Sequence, residues 1–137
     1  MTSNFDKLLE MQRNMKSRRH PKDEEHRLQV ACVRWFRMQY PHLREMLFAV
    51  PNGGRRDEKT GARLKEEGVI AGVSDLILLQ RNDNYGALLI EMKTKTGRQS
   101  ESQKRWQQTA EEQGYRYVVC RSLEEFMKEV NSYVTKR

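Results

Sequence analysis

Two apolar runs separated by a polar turn place the strongest constraint on how this chain can fold. Residues 75–79 and 87–93 are both rich in Leu and Ile, and segment 82–86 between them contains Asn, Asp and Gly. This pattern predicts two β-strands joined as a hairpin. In an antiparallel hairpin the start of the first strand lies beside the end of the second. Asp75 and Glu91 are therefore expected at the same edge of the sheet.

The remaining segments alternate between helical and extended patterns. Helices are predicted over about 23–40 and 100–113 and from Ser122 onward, and further strands over 47–50 and 115–120. Segment 57–67 has the pattern of either a polar helix or a helical loop. The final strand-helix-strand order predicts a parallel pair with a right-handed crossover. The sequence therefore predicts an α/β fold in which helices flank a mixed β-sheet. We expect a basic N-terminal arm over residues 1–22, in which Leu8, Leu9 and Met11 could form a short helical turn, and one domain over 23–137.

An excess of basic residues narrows the class of partner. The chain has 26 Lys and Arg against 19 Asp and Glu, a formal charge of +7, which favours polyanions such as nucleic acids. A charge that serves only solubility fits the composition equally well. The sequence shows no apolar run long enough for a membrane helix and no secretory signal, so we expect a cytoplasmic protein without a membrane partner.

Neither the cysteines nor the histidines have the spacing of a metal site. Cys32 and Cys120 lie among apolar residues and outside any CxxC motif, which predicts buried thiols in a reducing compartment. For His20, His26 and His42 the sequence predicts surface or capping roles.

Three residues at the predicted sheet edge suit metal-assisted phosphate chemistry. Asp75 and Glu91 supply oxygen ligands of the kind that Mg²⁺ prefers, and the backbone carbonyl of Met92 could add another. Lys93 lies two residues after Glu91 and points to the same face, where it can orient a water or stabilise charge on a phosphate. Taken alone, residues 91–93 are also typical of an ordinary charged strand end, so the surrounding residues must decide.

Four segments around these residues resemble a known family. They are Pro51-Asn52-Gly53-Gly54-Arg55-Arg56, Gly68-Val69-Ile70-Ala71-Gly72-Val73-Ser74-Asp75-Leu76, Leu88-Leu89-Ile90-Glu91-Met92-Lys93 and Ser100-Glu101-Ser102-Gln103. Their order and spacing resemble the VRR-NUC family of the PD-(D/E)xK nuclease superfamily, whose fold is restriction-endonuclease-like. The likeness runs from about Glu24 to Tyr133, and Ser74 stands where the superfamily name has a proline. The small size is similar to the stand-alone members of phages and bacteria.

The resemblance implies roles for the residues at the sheet edge. Asp75 and Glu91 would be ligands of Mg²⁺ or Mn²⁺, and Lys93 would be the catalytic lysine. Gln103 would join the catalytic residues from the start of the helix that follows.

The family also has an acidic residue on its first helix. We prefer Glu25, as a catalytic residue and a further metal ligand, because Leu28, Cys32 and Trp35 continue one helical face from it. Glu24 is the alternative. Either carboxylate could instead act only as an N-terminal charge of the helix.

Glycines and basic residues near these positions predict contacts with the DNA backbone, because glycine permits close approach and arginine pairs with phosphate. The predicted DNA-binding residues are Asn52, Gly53, Gly54, Arg55, Arg56, Lys95, Arg98, Lys104 and Arg105. The resemblance implies a structure-specific DNA endonuclease that resolves four-way (Holliday) junctions as a homodimer. The alternative is a non-catalytic nucleic-acid-binding module with the same fold. A protein that only makes interactions through a basic surface leaves the spacing of the motifs unexplained.

Overall fold

The computed structural model describes residues 3–16, 21–51 and 58–135. Within these ranges the chain forms α-helices, β-strands and one 3₁₀ helix. In chain order they are α1 (Asn4–Lys16), α2 (Pro21–Gln39), the 3₁₀ helix (Pro41–Met46), β1 (Leu47–Ala49), α3 (Glu58–Glu66), β2 (Leu76–Leu78), β3 (Leu88–Met92), α4 (Glu101–Glu112), β4 (Arg116–Cys120) and α5 (Leu123–Thr135).

The strands form one mixed sheet in the order β1-β2-β3-β4. β2 pairs antiparallel with β3, with Leu76 opposite Ile90, which confirms the predicted hairpin. β1 extends the antiparallel part, and β4 lies parallel to β3, as the strand-helix-strand order predicts. The regular pairing of β2 with β3 stops short of Asp75, where the carboxylate of Asp75 accepts the Met92 N–H instead.

Different helices cover the two faces of the sheet. Alternate residues of a strand point to opposite faces. Leu76 and Ile90 therefore point into the larger apolar core, where α2 and α5 pack. Leu89 and Tyr117 point the other way and pack against Ala110 of α4. The predicted α/β architecture, a mixed sheet flanked by helices, is confirmed.

The N-terminal basic segment contains a longer helix than the short turn that its sequence pattern indicates. α1 begins at a reciprocal cap, in which the Asp6 N–H donates to the Ser3 hydroxyl and the Ser3 N–H donates to the Asp6 carboxylate. Leu8 is buried in the same apolar cluster as Leu28 of α2. Packing of this apolar face stabilises a helix that would be marginal in isolation.

The segment after α2 also differs from its sequence interpretation. α2 ends at Gln39, as Pro41 predicts. The chain then makes a 3₁₀ helix from Pro41 to Met46 that the sequence analysis missed. Proline has no N–H to satisfy and its fixed φ suits the first helical position, so it both ends one helix and starts the next turn.

The structure also bears on segment 57–67, the two cysteines and the expected absence of a membrane helix. Segment 57–67, which the sequence leaves open between a polar helix and a helical loop, forms α3 from Glu58 to Glu66. Cys32 and Cys120 are both buried and unpaired, as predicted. Among the described helices, none has the length and apolar character needed to cross a bilayer.

Candidate active site

The hairpin brings Asp75, Glu91 and Lys93 to one edge of the sheet. Leu76 faces Ile90 in the register, so Asp75 and Glu91 occupy the next position outward. Both point to the face that α4 covers, because they alternate with residues of the larger core. Lys93 shares that face, and its Nζ lies 4.0 Å from Oε2 of Glu91.

The Asp75 carboxylate is fixed by the backbone of β3. Its Oδ2 accepts the Met92 N–H at 2.7 Å, a length typical of a charge-assisted hydrogen bond. The N–H and the C=O of any one residue in a strand point to the same side of that strand, toward the same neighbouring strand. The Met92 carbonyl is therefore on the side of β3 that Asp75 occupies, where the sequence analysis places a further oxygen ligand.

Glu91 is buried, with 1% of its surface exposed, and other side chains hold both of its oxygens. Gln103 Nε2 donates to Oε2 at 3.2 Å, and the Tyr117 hydroxyl donates to Oε1 at 3.4 Å. Gln103 also completes a capping box, because its Oε1 accepts the Ser100 N–H. The side chain that completes the cap of α4 is thus the one that reaches Glu91.

Glu91 is buried beside a second carboxylate, that of Asp75, and both features disfavour its negative charge. Burial raises the pKa of Glu91 to about 9, the hydrogen bond and negative charge of Asp75 act in the same direction, and Lys93 opposes them. A divalent cation would replace the repulsion between the two acids by attraction, so the donor set fits Mg²⁺ or Mn²⁺. Within the described ranges no three His, Cys, Asp or Glu side chains form a metal cluster. Asp75 and Glu91 would therefore be only part of the ligand set, and backbone, water and substrate oxygens usually supply much of the rest for Mg²⁺.

The two acids of α2 lie in different surroundings. Burial raises the pKa of Glu25, Lys93 lowers it and Asp75 raises it. Glu25 therefore lies within the electrostatic reach of the sheet edge. Glu24 lines a cavity of about 260 Å³ together with Arg27 and Arg121. This arrangement favours Glu25 over Glu24 as the acid that α2 contributes.

The raised pKa of Glu91 predicts how the metal-free protein responds to pH. The unfolded chain releases the Glu91 proton near the ordinary value of 4.5, whereas the folded chain keeps it to about 9. Between these values the folded state binds more protons, so this residue makes the free energy of unfolding fall as pH rises. Urea denaturation in EDTA at several pH values should show this slope in the wild type and not in Glu91→Gln. The same pH dependence of the free energy of unfolding in both proteins would contradict a raised pKa for Glu91.

Tyr117 and Gln99 complete the surroundings of Glu91, and neither was predicted there from the sequence. Tyr117 is two residues before Val119, which pairs with Glu91 across β3 and β4, so the strand period places all three on one face. A buried tyrosine hydroxyl needs a polar partner, and that need was the available signal. Gln99 lies before the start of α4, and its Nε2 donates to the Tyr117 hydroxyl at 3.2 Å.

Only some of the predicted DNA-binding residues can be placed. Asn52, Gly53, Gly54, Arg55 and Arg56 lie outside the described residues. The others are exposed and close in sequence to the site: Lys95 and Arg98 before α4, and Lys104 and Arg105 within it. Nη1 of Arg121 donates to the carbonyl oxygens of Thr94 and Gly97, both at 2.7 Å, which fixes the segment that contains Lys95.

Comparisons with known proteins identify the family and the fold. The family model of the VRR-NUC domain matches residues 23–124. The chain belongs to the VRR-NUC family. The matched region contains the acids of α2, the residues at the sheet edge and Gln103. It also contains the Tyr117 that the structure adds to the site.

A solved structure supports the fold of this VRR-NUC domain independently. A protein described as a VRR_NUC domain protein is 24% identical, and the likeness covers 80% of this chain and 87% of that one with a TM-score of 0.70. At this identity the likeness establishes the shared fold. None of the curated proteins matches the sequence.

Proposed function

We propose that this VRR-NUC domain is a metal-dependent endonuclease that hydrolyses phosphodiester bonds in DNA. The observation that supports it best is the meeting of Asp75 and Glu91 at one sheet edge, with Lys93 Nζ 4.0 Å from Glu91 Oε2. Two carboxylates without a cation would repel a phosphate. The acids and the lysine together suit a substrate whose scissile phosphate binds through a divalent ion.

The carboxylates of Asp75 and Glu91 would hold Mg²⁺ or Mn²⁺, with the Met92 carbonyl and Glu25 as further ligands. When bound, the ion lowers the pKa of a coordinated water and neutralises charge on the phosphate. Asp75 contributes a carboxylate whose orientation the Met92 N–H fixes. Glu91 contributes one that is shielded from bulk water, where electrostatic interactions are stronger.

Lys93 and Gln103 orient the groups around these acids. Lys93 would donate to the attacking water or to a non-bridging phosphate oxygen, which stabilises the charge that develops in the transition state. Gln103 would act through Glu91, because its amide already donates to Oε2 of that residue. We assign contacts with the DNA backbone to residues 52–56 and to the exposed Lys95, Arg98, Lys104 and Arg105.

We further propose that the substrate is branched DNA and that the active form is a homodimer acting on four-way junctions. The similarity to stand-alone members of the family supports this substrate. Resolving a junction needs two symmetric cuts, hence two sites, and a two-fold dimer is the commonest closed assembly. Sedimentation of the protein with and without a synthetic junction tests the dimer directly, and a monomer in both conditions would contradict it.

One cleavage experiment tests the activity and the substrate together. Labelled four-way junction, flap and linear duplex DNA are incubated with wild type or Lys93→Ala in Mg²⁺, Mn²⁺ or EDTA. We expect paired symmetric cuts in the junction, none in EDTA, and a rate lower by about 10²–10³-fold in Lys93→Ala, the effect of removing one electrostatic stabiliser. Metal binding should persist in that variant, because Asp75 and Glu91 remain.

Each contrary result removes a different part of the proposal. Equal cutting of all three substrates would support endonuclease activity and contradict the specificity for four-way junctions. An unchanged rate in Lys93→Ala would remove the role of the lysine. Salt-sensitive DNA retention by folded protein without metal-dependent cleavage would favour the non-catalytic binding module.

A further inference from the structure

Tyr117 lies on the face of the sheet that α4 covers, and its hydroxyl contacts the Glu91 carboxylate. It is 4% exposed, and its ring packs against Trp106 of α4 with centroids 6.2 Å apart. The ring is therefore held between β4 and α4. Its hydroxyl reaches Glu91 Oε1 at 3.4 Å and Gln99 Nε2 at 3.2 Å.

The hydrogen-bond directions around this hydroxyl follow from its partners. Gln99 approaches through Nε2, which can only donate, and the same nitrogen donates to Gln107 Oε1 at 2.9 Å. The Tyr117 oxygen therefore accepts from Gln99, and its proton is directed to Glu91. Gln107 lies one helical turn after Gln103, so α4 anchors both ends of the chain of hydrogen bonds.

Both oxygens of Glu91 are consequently occupied from the protein side. Oε1 accepts from Tyr117, while Oε2 accepts from Gln103 and lies 4.0 Å from Lys93 Nζ. A carboxylate bound at one oxygen alone can rotate about its terminal bond, which is soft. Bound at both, it is held in one orientation beside Asp75.

We propose that Tyr117 is a positioning residue that holds the Glu91 carboxylate in the orientation needed for metal binding, with Gln99 orienting the tyrosine hydroxyl. This inference rests on the proposed function. Neither residue touches the substrate or the reacting atoms. Their effect passes through Glu91, in the way that outer partners of a metal ligand fix its geometry and its affinity for the ion.

Mn²⁺ binding and DNA cleavage by Tyr117→Phe, each compared with wild type, test the proposal. The variant keeps the buried ring and loses only the hydroxyl. We expect Mn²⁺ affinity, measured by calorimetry without DNA, to fall by about 10–100-fold, with a parallel fall in kcat. Gln99→Met should also lower Mn²⁺ affinity and kcat, by smaller factors. The double variant should add little to Tyr117→Phe, because the two residues act in one chain.

Tyr115→Phe is the matched control, since Tyr115 immediately precedes β4 and is 40% exposed. It should bind Mn²⁺ and cleave DNA as wild type does. Thermal unfolding of all variants separates the roles, because a purely structural tyrosine would lower stability and leave Mn²⁺ affinity unchanged. Wild-type Mn²⁺ affinity in Tyr117→Phe would overturn the proposal.

Crystal structures of metal-free wild type and Tyr117→Phe give a readout that does not depend on activity. We expect the Glu91 carboxylate in one orientation in the wild type and in a rotated or divided one in the variant. If the wild type neither binds Mn²⁺ nor cleaves DNA, the proposed function fails. The structures still decide the positioning role, and an unchanged Glu91 in the variant would overturn it.

Discussion

Replacing Glu91 by glutamine should abolish detectable DNA cleavage while the protein stays folded and still retains DNA. The amide has nearly the volume of the carboxylate, and its oxygen can still accept one of the hydrogen bonds from Gln103 and Tyr117. It removes the negative charge and one oxygen ligand. Changes to the outer partners of a ligand already lower activity by about 10–100-fold, so loss of the ligand itself should exceed about 100-fold.

The fold of Glu91→Gln should survive because the neutral amide has no buried charge to desolvate. Burial and Asp75 disfavour the charged form of Glu91 in the metal-free protein. The variant should therefore be at least as stable as wild type in EDTA at pH values above the ordinary range of a glutamate. Retention of DNA follows if the exposed basic residues, rather than the acids, contact the backbone.

Asp75→Asn should lose cleavage to the same extent, and the two acids of α2 provide the comparison. The asparagine oxygen can still accept the Met92 N–H, so the strand end is kept while the charge is lost. Glu25→Gln should weaken cleavage by a smaller factor, and Glu24→Gln should leave it near wild type, because Glu24 lines the neighbouring cavity. Initial rates in Mg²⁺ and Mn²⁺ measure all four variants. Full activity in Glu91→Gln or Asp75→Asn would remove that residue from the site.

The core of the site could be predicted because its geometry depends on local sequence. The polar turn sets the hairpin, and the hairpin sets the register that brings Asp75 beside Glu91. The two-residue strand period then places Lys93 on the same face as Glu91. No long-range information was needed for these three residues. A resemblance to a family was still needed to give them a function.

The residues that hold Glu91 could not be predicted in the same way. The contacts of Gln103 and Tyr117 with Glu91, and of Gln99 with Tyr117, depend on how α4 lies across β3 and β4, and that packing is tertiary. The N-terminal helix was underestimated for a related reason, because burial of Leu8 against α2 stabilises it. The start of α4 illustrates the difference: its position is readable from sequence, but the reach of Gln103 to Glu91 is not.

Gly72→Ala should lower the free energy of unfolding by about 2–5 kcal/mol, the sum of backbone strain and steric overlap. Gly72 has φ of +90°, which side chains rarely adopt. A Cβ at this position would lie 2.4 Å from the Ser102 carbonyl oxygen and 2.9 Å from the Gln103 nitrogen. Both are backbone atoms of the first turn of α4, so no side-chain rotation can relieve the overlap.

Gly68→Ala is the matched control for the backbone strain. Gly68 has φ of +106°, and a Cβ there would meet nothing within 4 Å. This variant should lose only about 1–2 kcal/mol, the strain of a left-handed conformation. Urea denaturation of the two variants therefore isolates the contact between the loop before β2 and the start of α4.

The same contact predicts a loss of activity in Gly72→Ala beyond the loss of stability. Relief of the overlap must move the first turn of α4 away from the loop that leads into Asp75. Gln103 is in that turn, so its amide would leave Glu91 Oε2, and cleavage by the folded fraction should fall by about 10–100-fold. Gly68→Ala should cleave at the wild-type rate. Equal stability and equal cleavage in Gly72→Ala and Gly68→Ala would contradict this prediction. They would mean that the backbone at Ser102 can move without cost, and that its close approach to Gly72 does not position Gln103.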